Sequence, residues 1–200
     1  YHTVVLKGTD VTKAMDLRKA GLGLLGNMVG DKKAVACIED TAVALQDLPA
    51  YIDEFTNIMK SYHQEAVYYA HAGAGELHLR PILDLKTLEG VDYFRKITTD
   101  VVHLVKKYKG SFSGEHGDGI VRSEFIPFLI GEKNYALLKQ IKNTVDPNHI
   151  FNPGKITDAS KMDASLRNIP DQPTPKVDTV LNFDDSQGII RLAEKCNGSG

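Results

Sequence analysis

Apolar residues recur at spacings of three and four in four stretches of the chain, which is the pattern of amphipathic α-helices. The clearest stretch runs from Leu48 to Tyr62, and a longer one follows Thr87, whose hydroxyl can cap the first turn. A fifth, shorter helix can begin near Ile189. The four helical stretches cover approximately residues 11–25, 48–62, 88–108 and 137–145.

Shorter apolar runs predict strands at Thr3–Leu6, Val35–Ile38, Ala66–Ala70 and Leu77–Arg80. The last two are separated by a glycine-containing turn, so they predict a hairpin. This order of elements predicts an α+β domain, with helices packed on one face of a largely antiparallel sheet. Residues 157–185 are rich in Asp, Pro, Thr and Lys without periodicity, which is typical of a linker or surface tail.

Composition excludes several classes of protein. A net charge of -2 without a Lys/Arg-rich stripe does not indicate a surface that binds nucleic acid. No apolar run approaches the roughly 20 residues of a transmembrane helix, and the first residues do not form a secretory signal. Two cysteines, Cys37 and Cys196, cannot form a disulfide framework. The absence of an initiator Met and the final Asn-Gly-Ser-Gly200 suggest a piece of a longer protein.

Two glycine-rich runs carry the candidate chemistry. His71-Ala-Gly-Ala-Gly-Glu-Leu-His78 places two imidazoles around a turn, and Gly114-Glu-His-Gly-Asp-Gly119 joins Glu115 to His116. Two His and one acid are a ligand set for a divalent metal, and a set of three leaves positions open for substrate. The remaining imidazole, His116, can serve as a base. The alternative interpretation is that the histidines are ordinary polar residues and that the second run is a solvated turn.

Three arginines are candidate anion binders. Arg80 lies two residues beyond His78 and therefore shares its strand face. Arg18 lies in the first helical stretch, and Arg122 lies three residues after Gly119. For each arginine alone, a surface salt bridge is the competing interpretation.

These residues resemble the C-terminal domain of the FAD-linked oxidases related to D-lactate dehydrogenase, glycolate oxidase and D-2-hydroxyglutarate dehydrogenase. The resemblance rests on the two runs above and on a third, Asp146-Pro-Asn-His-Ile-Phe-Asn-Pro-Gly-Lys155, in the same order and at matching separations. It covers about residues 1–156, which we expect to form a ferredoxin-like cap domain. Residues 157–200 are then a linker toward a further domain.

The resemblance also implies the reaction and the roles of individual residues. The domain covers the flavin of a separate FAD-binding domain, and the enzyme oxidises a D-2-hydroxy acid by hydride transfer to FAD. His71, His78 and Glu115 hold a divalent metal, usually zinc, and His116 removes the substrate hydroxyl proton. Arg18 binds a substrate carboxylate, with Arg80 as a second candidate. The stretch that begins at Asn152 approaches the flavin.

The sequence departs from the common family pattern at three places. Ala74 and Glu76 stand where the first motif usually has Asp and Asn, and the Cys37-Ile38 region, where some members place a substrate-binding Lys, holds none. The Ala-Gly-Glu version resembles a subgroup with a further iron–sulfur domain, and Cys196 resembles the start of its cluster motif. One cysteine cannot hold a cluster, so we expect the iron–sulfur cluster elsewhere in the full-length protein.

We therefore expect a cytoplasmic enzyme, at most peripheral to the inner membrane, that is inactive without its FAD-binding domain. Its partners are a small 2-hydroxy acid, its own FAD-binding and iron–sulfur domains, and an unidentified electron acceptor. Two other classes remain open. The chain is alternatively a stand-alone metal-dependent hydrolase that uses the same four residues, or a docking domain in which the histidines bind nothing.

Overall fold

A computed structural model describes residues 4–196, apart from the side chain of Leu22. These residues form two compact units, one of residues 34–172 and one that combines the segment before residue 34 with the segment after residue 172. Thr3, the first residue of the earliest predicted strand, lies outside the described residues. Val4–Leu6 forms no regular secondary structure, so the strand predicted there is not found in the described residues.

The larger unit contains a small antiparallel sheet and five helices among its described residues. Two-residue β1 (Lys33–Ala34) begins at its boundary. Strand β4 is central, because Leu79 pairs with Ile38 on one edge and with Tyr68 on the other. The remaining elements are β2 (Ile38–Ala42), α2 (Leu48–Ser61), β3 (Ala66–His71), β4 (Glu76–Leu83), α3 (Leu88–Lys107), α4 (Gly119–Arg122), α5 (Ile126–Ile130) and α6 (Glu132–Val145).

The alternation of residues along β4 separates the hydrophobic core from a polar face. The hydrophobic core contains Leu77, Leu79 and Leu83 of this strand. Because successive side chains of a strand alternate, Glu76 and His78 point to the opposite face. The strand continues through Pro81, where the sequence predicted its end. The polar face of β4 thus becomes the floor of the candidate site.

Helices α2 and α3 cover the core side of the sheet. Tyr51, Phe55 and Met59 of α2 are buried at helical spacing, as are Phe94 and several residues of α3. Each of these large side chains contributes roughly 1.5–3 kcal/mol of burial free energy. The predicted cap is also confirmed: the Thr87 hydroxyl accepts the Gly90 N–H at 3.0 Å. The buried residues of α3 are Gly90, Phe94, Ile97, Thr98, Val101, Val102, Leu104 and Val105.

The segment 157–172, predicted as part of a linker, packs against the larger unit without forming a helix or strand. Met162 is only 2% exposed and joins the hydrophobic core. Arg95 of α3 binds both carboxylate oxygens of Asp163 at 2.7 Å and those of Glu124 at 3.0 and 3.1 Å. These contacts fix the segment to α3.

The smaller unit contains α1 (Thr9–Gly26) and α7 (Ile189–Ala193), near the two helices predicted for these regions. Within this unit, Arg191 donates two hydrogen bonds to the carboxylate of Asp31, at 2.7 and 2.8 Å. Helix α1 continues through its three glycines to Gly26. The cysteine at 196 is exposed and has a free thiol.

Helices together with a small antiparallel sheet confirm the predicted α+β class. One predicted strand was wrong in position: the sequence placed it at Val35–Ile38, whereas β2 covers Ile38–Ala42. Throughout the part of the chain that the structure describes, no helix has the length and hydropathy that a membrane crossing requires.

Candidate functional site

The β3–β4 hairpin brings the two histidines of the first motif together. His71 pairs with Glu76, and His78 lies two residues further along β4, so the three side chains share one face. The imidazole centroids of His71 and His78 are 5.2 Å apart. The turn requires glycine at position 75, because φ is 75° and a Cβ there would lie 2.1 Å from the carbonyl oxygen of Val43.

Strand β2 adds two acidic residues from the other edge of β4. Glu39 pairs with His78 and therefore lies on the same face. The register then shifts between Glu39 and Thr41, and the intervening Asp40 has a left-handed φ of 75°. Such an inserted residue is a β-bulge, which redirects a side chain that the regular pleat would place elsewhere. Asp40 is fully buried.

The redirected Asp40 carboxylate anchors the loop that carries the second motif. It accepts the Ser113 hydroxyl at 2.8 Å, the Glu115 N–H at 2.9 and 3.0 Å and the His116 N–H at 2.7 Å. Burial alone would raise the pKa of Asp40, but hydrogen bonding with the Glu76 carboxyl group and with the loop outweighs it and holds the pKa well below its usual range. Asp40 therefore carries a negative charge that the loop amides stabilise.

This anchoring places the His116 ring against the hairpin. Its ring stacks on His78 at a centroid distance of 5.2 Å and an interplanar angle of 19°. Its Nδ1 lies 3.7 Å from Oε1 of Glu39, and the side chain is 48% exposed. One ring nitrogen thus faces a carboxylate, while the ring remains accessible from solvent.

Three buried polar atoms on this face have no hydrogen-bond partner among the described residues: Oε2 of Glu39, Oε1 of Glu76 and Nδ1 of His78. Burial lowers the pKa of His78, which favours its neutral form. Burial, together with the nearby carboxyl groups of Asp40 and Glu115, raises the pKa of Glu76 to about 8. Buried polar atoms usually have a hydrogen-bond partner, so these atoms are candidates to contact a bound ligand or ion.

Three groups of potential metal ligands occur among the described residues, each with its ligand atoms within 4.8 Å of one another. One group lies entirely on the hairpin, the other two combine the hairpin with β2 and the loop, and Glu115 belongs to none of them. The Glu115 side chain is exposed and lies next to Glu76. The groups are His71 with Glu76 and His78, Glu39 with His78 and His116, and Asp40 with Glu76 and His116.

Two of the candidate arginines are engaged near this face. Arg80 donates from Nη2 to Oε1 of Glu39 at 2.8 Å. Arg122 is buried, and its guanidinium donates to the backbone carbonyls of Glu39, Phe112 and Gly117. The position of Arg122 therefore indicates a structural role, in which it fixes the start of the loop to β2.

The two remaining predicted residues, Arg18 and Asn152, belong to different units. Arg18 lies on α1 in the smaller unit, and its side chain is exposed. Asn152 is also exposed and has a left-handed φ of 46°. It follows a turn that Asp146 holds by accepting the N–H groups of Ile150 and Phe151 at 2.9 and 3.0 Å. The contacts described above involve neither residue.

Sequence reasoning missed the three acids that complete the site, Glu39, Asp40 and Glu76. Two adjacent acids directly after an apolar run were a usable signal, because such residues are disfavoured in strands unless they have a specific role. Glu76 was noted only as a departure from the family pattern. Its burial depends on β2 and on the loop, which no local pattern reveals.

Comparison with known proteins gives the following relationships. Residues 3–156 match the family model described as FAD linked oxidases, C-terminal domain. The D-2-hydroxyglutarate dehydrogenase of Escherichia coli (strain K12) is 37% identical over 197 residues, which are 95% of this chain and 18% of that protein. The D-2-hydroxyglutarate dehydrogenase of Pseudomonas putida is 38% identical over 155 residues, 78% of this chain and 15% of that protein.

A more distant relative is the D-lactate dehydrogenase of Archaeoglobus fulgidus, which is 32% identical over 127 residues, or 64% of this chain and 28% of that protein. The chain spans less than a fifth of the length of the first two relatives, at 18% and 15%. The matched region includes all three motifs, since the family model extends from residue 3 to residue 156.

Proposed function

The chain belongs to the family of FAD linked oxidase C-terminal domains, and from this membership we propose that it supplies the catalytic and substrate-binding side chains of a flavin-dependent 2-hydroxy-acid dehydrogenase. The observation that carries the proposal is the position of His116, which is half exposed and stacked on His78 beside the partly buried Glu39 carboxylate. A base at this position can reach a substrate that lies over the hairpin.

We assign a divalent cation, zinc in the first instance, to His71, His78 and Glu115. The residues fit such a cation for two reasons. The buried Oε1 of Glu76, which lies 3.7 Å from Nε2 of His78, lacks a hydrogen-bond partner within the described residues. Burial also lowers the pKa of His78, and a ligating imidazole must be neutral. The Glu115 side chain lies beside Glu76, at the edge of this face.

His116 is the residue that we assign to proton removal. Because Nδ1 faces Glu39 at 3.7 Å, Nε2 is the nitrogen left to accept the proton of a substrate hydroxyl. The Glu39 carboxylate then stabilises the imidazolium that forms and holds the ring in one orientation. Stacking on His78 restricts the ring further.

For the substrate we propose a D-2-hydroxy acid, with D-2-hydroxyglutarate as the first candidate because two relatives of 37% and 38% identity carry that name. Arg18 and Arg80 are assigned to its carboxylates through charge-assisted hydrogen bonds. Arg80 donates from Nη2 to Glu39, so its other guanidinium nitrogens are the ones that we assign to the substrate. D-lactate and glycolate remain the alternative substrates.

FAD is the electron acceptor that we assign to the whole enzyme, with Asn152 facing it from an exposed turn. When bound, the flavin accepts the C2 hydride equivalent, and the cation lowers the pKa of the substrate hydroxyl. The residues of this chain position the hydroxy acid and remove its proton. An iron–sulfur cluster, which Cys196 alone cannot hold, is assigned to another domain that accepts the electrons next.

The test is anaerobic reduction of the flavin by substrate in the FAD-containing full-length protein. His116→Ala should slow reduction by a factor of about 10² to 10⁴, the range typical of general-base removal. His103→Ala is the matched control, because His103 is an exposed imidazole on α3 that hydrogen-bonds the Thr99 carbonyl. Near-normal reduction by the His116 variant would refute the assignment of the base.

A panel of D-2-hydroxyglutarate, D-lactate and glycolate identifies the substrate.

A further inference from the structure

Glu76 is the most buried side chain of the candidate site that has an uncommitted oxygen. The residue is 3% exposed, and its Oε1 has no hydrogen-bond partner among the described residues. Oε1 lies 3.7 Å from Nε2 of His78, and a ligand atom of His71 lies within 4.8 Å of both residues. An uncommitted carboxylate oxygen between two imidazoles is an arrangement suited to a divalent cation.

The neighbouring acids are less available than Glu76. Oε1 of Glu39 accepts a hydrogen bond from Arg80, and Oε2, which has no hydrogen-bond partner among the described residues, lies 2.6 Å from the same guanidinium nitrogen in an ion pair. Asp40 accepts hydrogen bonds from the anchored loop with both of its carboxylate oxygens. Glu115 is exposed and falls outside the three ligand groups. Among the described acids of this face, Glu76 is therefore best placed to act together with His71 and His78.

We propose that Oε1 of Glu76 is a direct ligand of the divalent cation, alongside His71 and His78. This inference rests on the proposed function, because it concerns the same metal site, and it adds a carboxylate to the set of His71, His78 and Glu115. Three of the ligands then come from one hairpin. They are fixed by the pairing of His71 with Glu76 and by the spacing of two residues from Glu76 to His78.

The surroundings of His78 fit this ligand set. Its Nε2 faces Glu76, whereas its Nδ1 faces Oε1 of Glu39 at 3.7 Å. A metal-bound imidazole commonly directs its second nitrogen toward a carboxylate, which fixes the ring orientation. Glu39 therefore acts as a positioning residue behind the ligand.

A second carboxylate also changes the metals that the site prefers. Two carboxylates neutralise the charge of a divalent cation, and oxygen ligands favour Mn²⁺ more than a set dominated by imidazoles does. Removing the Glu76 carboxylate should consequently weaken Mn²⁺ binding by a larger factor than Zn²⁺ binding. This selectivity is a readout that does not depend on enzymatic turnover.

The experiment measures Zn²⁺ and Mn²⁺ affinity of the full chain by calorimetry, after removal of metal with a chelator. Glu76→Gln keeps the shape of the side chain but replaces the carboxylate that would bind the cation with a neutral amide. We expect the Kd of this variant for the metal to rise by about 10- to 100-fold. Losing even a partner that orients a metal ligand weakens metal binding by this factor. Glu65→Gln is the matched control, since Glu65 is exposed next to the far end of the same hairpin, roughly 20 Å along the strand.

Two further variants, His78→Ala and Glu115→Gln, separate this inference from the proposed function. If Glu76→Gln binds as tightly as the wild type while these variants lose the metal, Glu76 is not a ligand and the original set stands. If His78→Ala keeps the wild-type affinity, or the wild type binds no cation, the proposed metal site itself fails. X-ray absorption of the loaded proteins gives a second measure, because Glu76→Gln should change the oxygen coordination of the metal and an unchanged spectrum would overturn the inference.

Discussion

The carboxylate of Asp40 accepts the backbone N–H of His116 at 2.7 Å, across 76 positions of sequence. Asp40 reaches this position because it is inserted into β2 with a left-handed φ of 75°. The bulge therefore links the conformation of one strand to the placement of the candidate base. Arg122 lies 3.9 Å from the same carboxylate, so a positive charge partly compensates its burial.

Asp40→Asn should destabilise the protein while retaining its backbone conformation, because Asn also tolerates a left-handed φ. The amide lacks the negative charge and the second acceptor oxygen that Ser113, Glu115 and His116 use. We expect the free energy of unfolding to fall by about 1–3 kcal/mol. Urea denaturation measures it, with Asp92→Asn as the control because Asp92 is a half-exposed partner of Lys96. Equal effects of the two substitutions would contradict the role of Asp40.

Local patterns predicted those parts of the fold that depend on local periodicity. The buried face of α2, the Thr87 cap of α3 and the β3–β4 hairpin are each encoded within a few neighbouring residues. Strand β2 was misplaced because Glu39 and Asp40 have low strand propensity, whereas pairing with β4 overrides that preference. The apolar Val35–Cys37 segment precedes β2 instead.

The candidate site was predicted only where its residues lie in recognisable motifs. His71, His78, Glu115 and His116 were found in this way, and the structure places the three imidazoles next to one another. The burial of Glu76, in contrast, results from contacts with residues about 40 positions away along the chain, such as Asp40 and Glu115. The spacing of apolar residues along the sequence does not predict such a contact, since the contact depends on the register of β2 and on the anchored loop.

Gly75→Ala should disrupt the hairpin, whereas Gly73→Ala should not. Position 75 combines a left-handed φ with a Cβ position 2.1 Å from the carbonyl oxygen of Val43, whereas a Cβ at position 73 meets no atom within 4 Å. The left-handed conformation alone costs about 1–2 kcal/mol, and the backbone overlap adds to it. Thermal unfolding should therefore show a marked loss for Gly75→Ala and a change within about 0.5 kcal/mol for Gly73→Ala. Similar unfolding temperatures for both variants would disprove this account of the turn.

Met162→Ala should show that the segment 157–172 belongs to the core of the larger unit. Met162 is 2% exposed and packs within the hydrophobic cluster. Truncating a buried Met leaves a cavity and costs about 2–5 kcal/mol. Met15→Ala, at a position on α1 that is 47% exposed, is the control and should change stability by less than about 0.5 kcal/mol. Limited proteolysis should cut the 157–172 segment faster in the Met162 variant, and unchanged cleavage would argue against its packing.

Asp146 should give the chain an acid-sensitive contribution to stability. The hydrogen bond from Lys142, with further bonds from the N–H groups of Ile150 and Phe151, lowers the pKa of Asp146 to about 2. Because the pKa is lower in the folded state, the unfolded chain binds the proton first as the pH falls. The contribution is therefore fully present above a pH of about 4, declines between about 4 and 2, and is absent below that range.

Asp146→Asn isolates this contribution, because Asn keeps the shape of the side chain but does not titrate. We expect wild type to be more stable than the variant at pH 6, and the difference to shrink steadily as the pH falls from about 4 to 2. Urea unfolding at a series of pH values measures the difference, and Asp178→Asn, at an exposed position of the tail, should show none. A difference that stays constant across this pH range would mean that the Asp146 charge does not stabilise the turn, and that its hydrogen bonds survive in the neutral form.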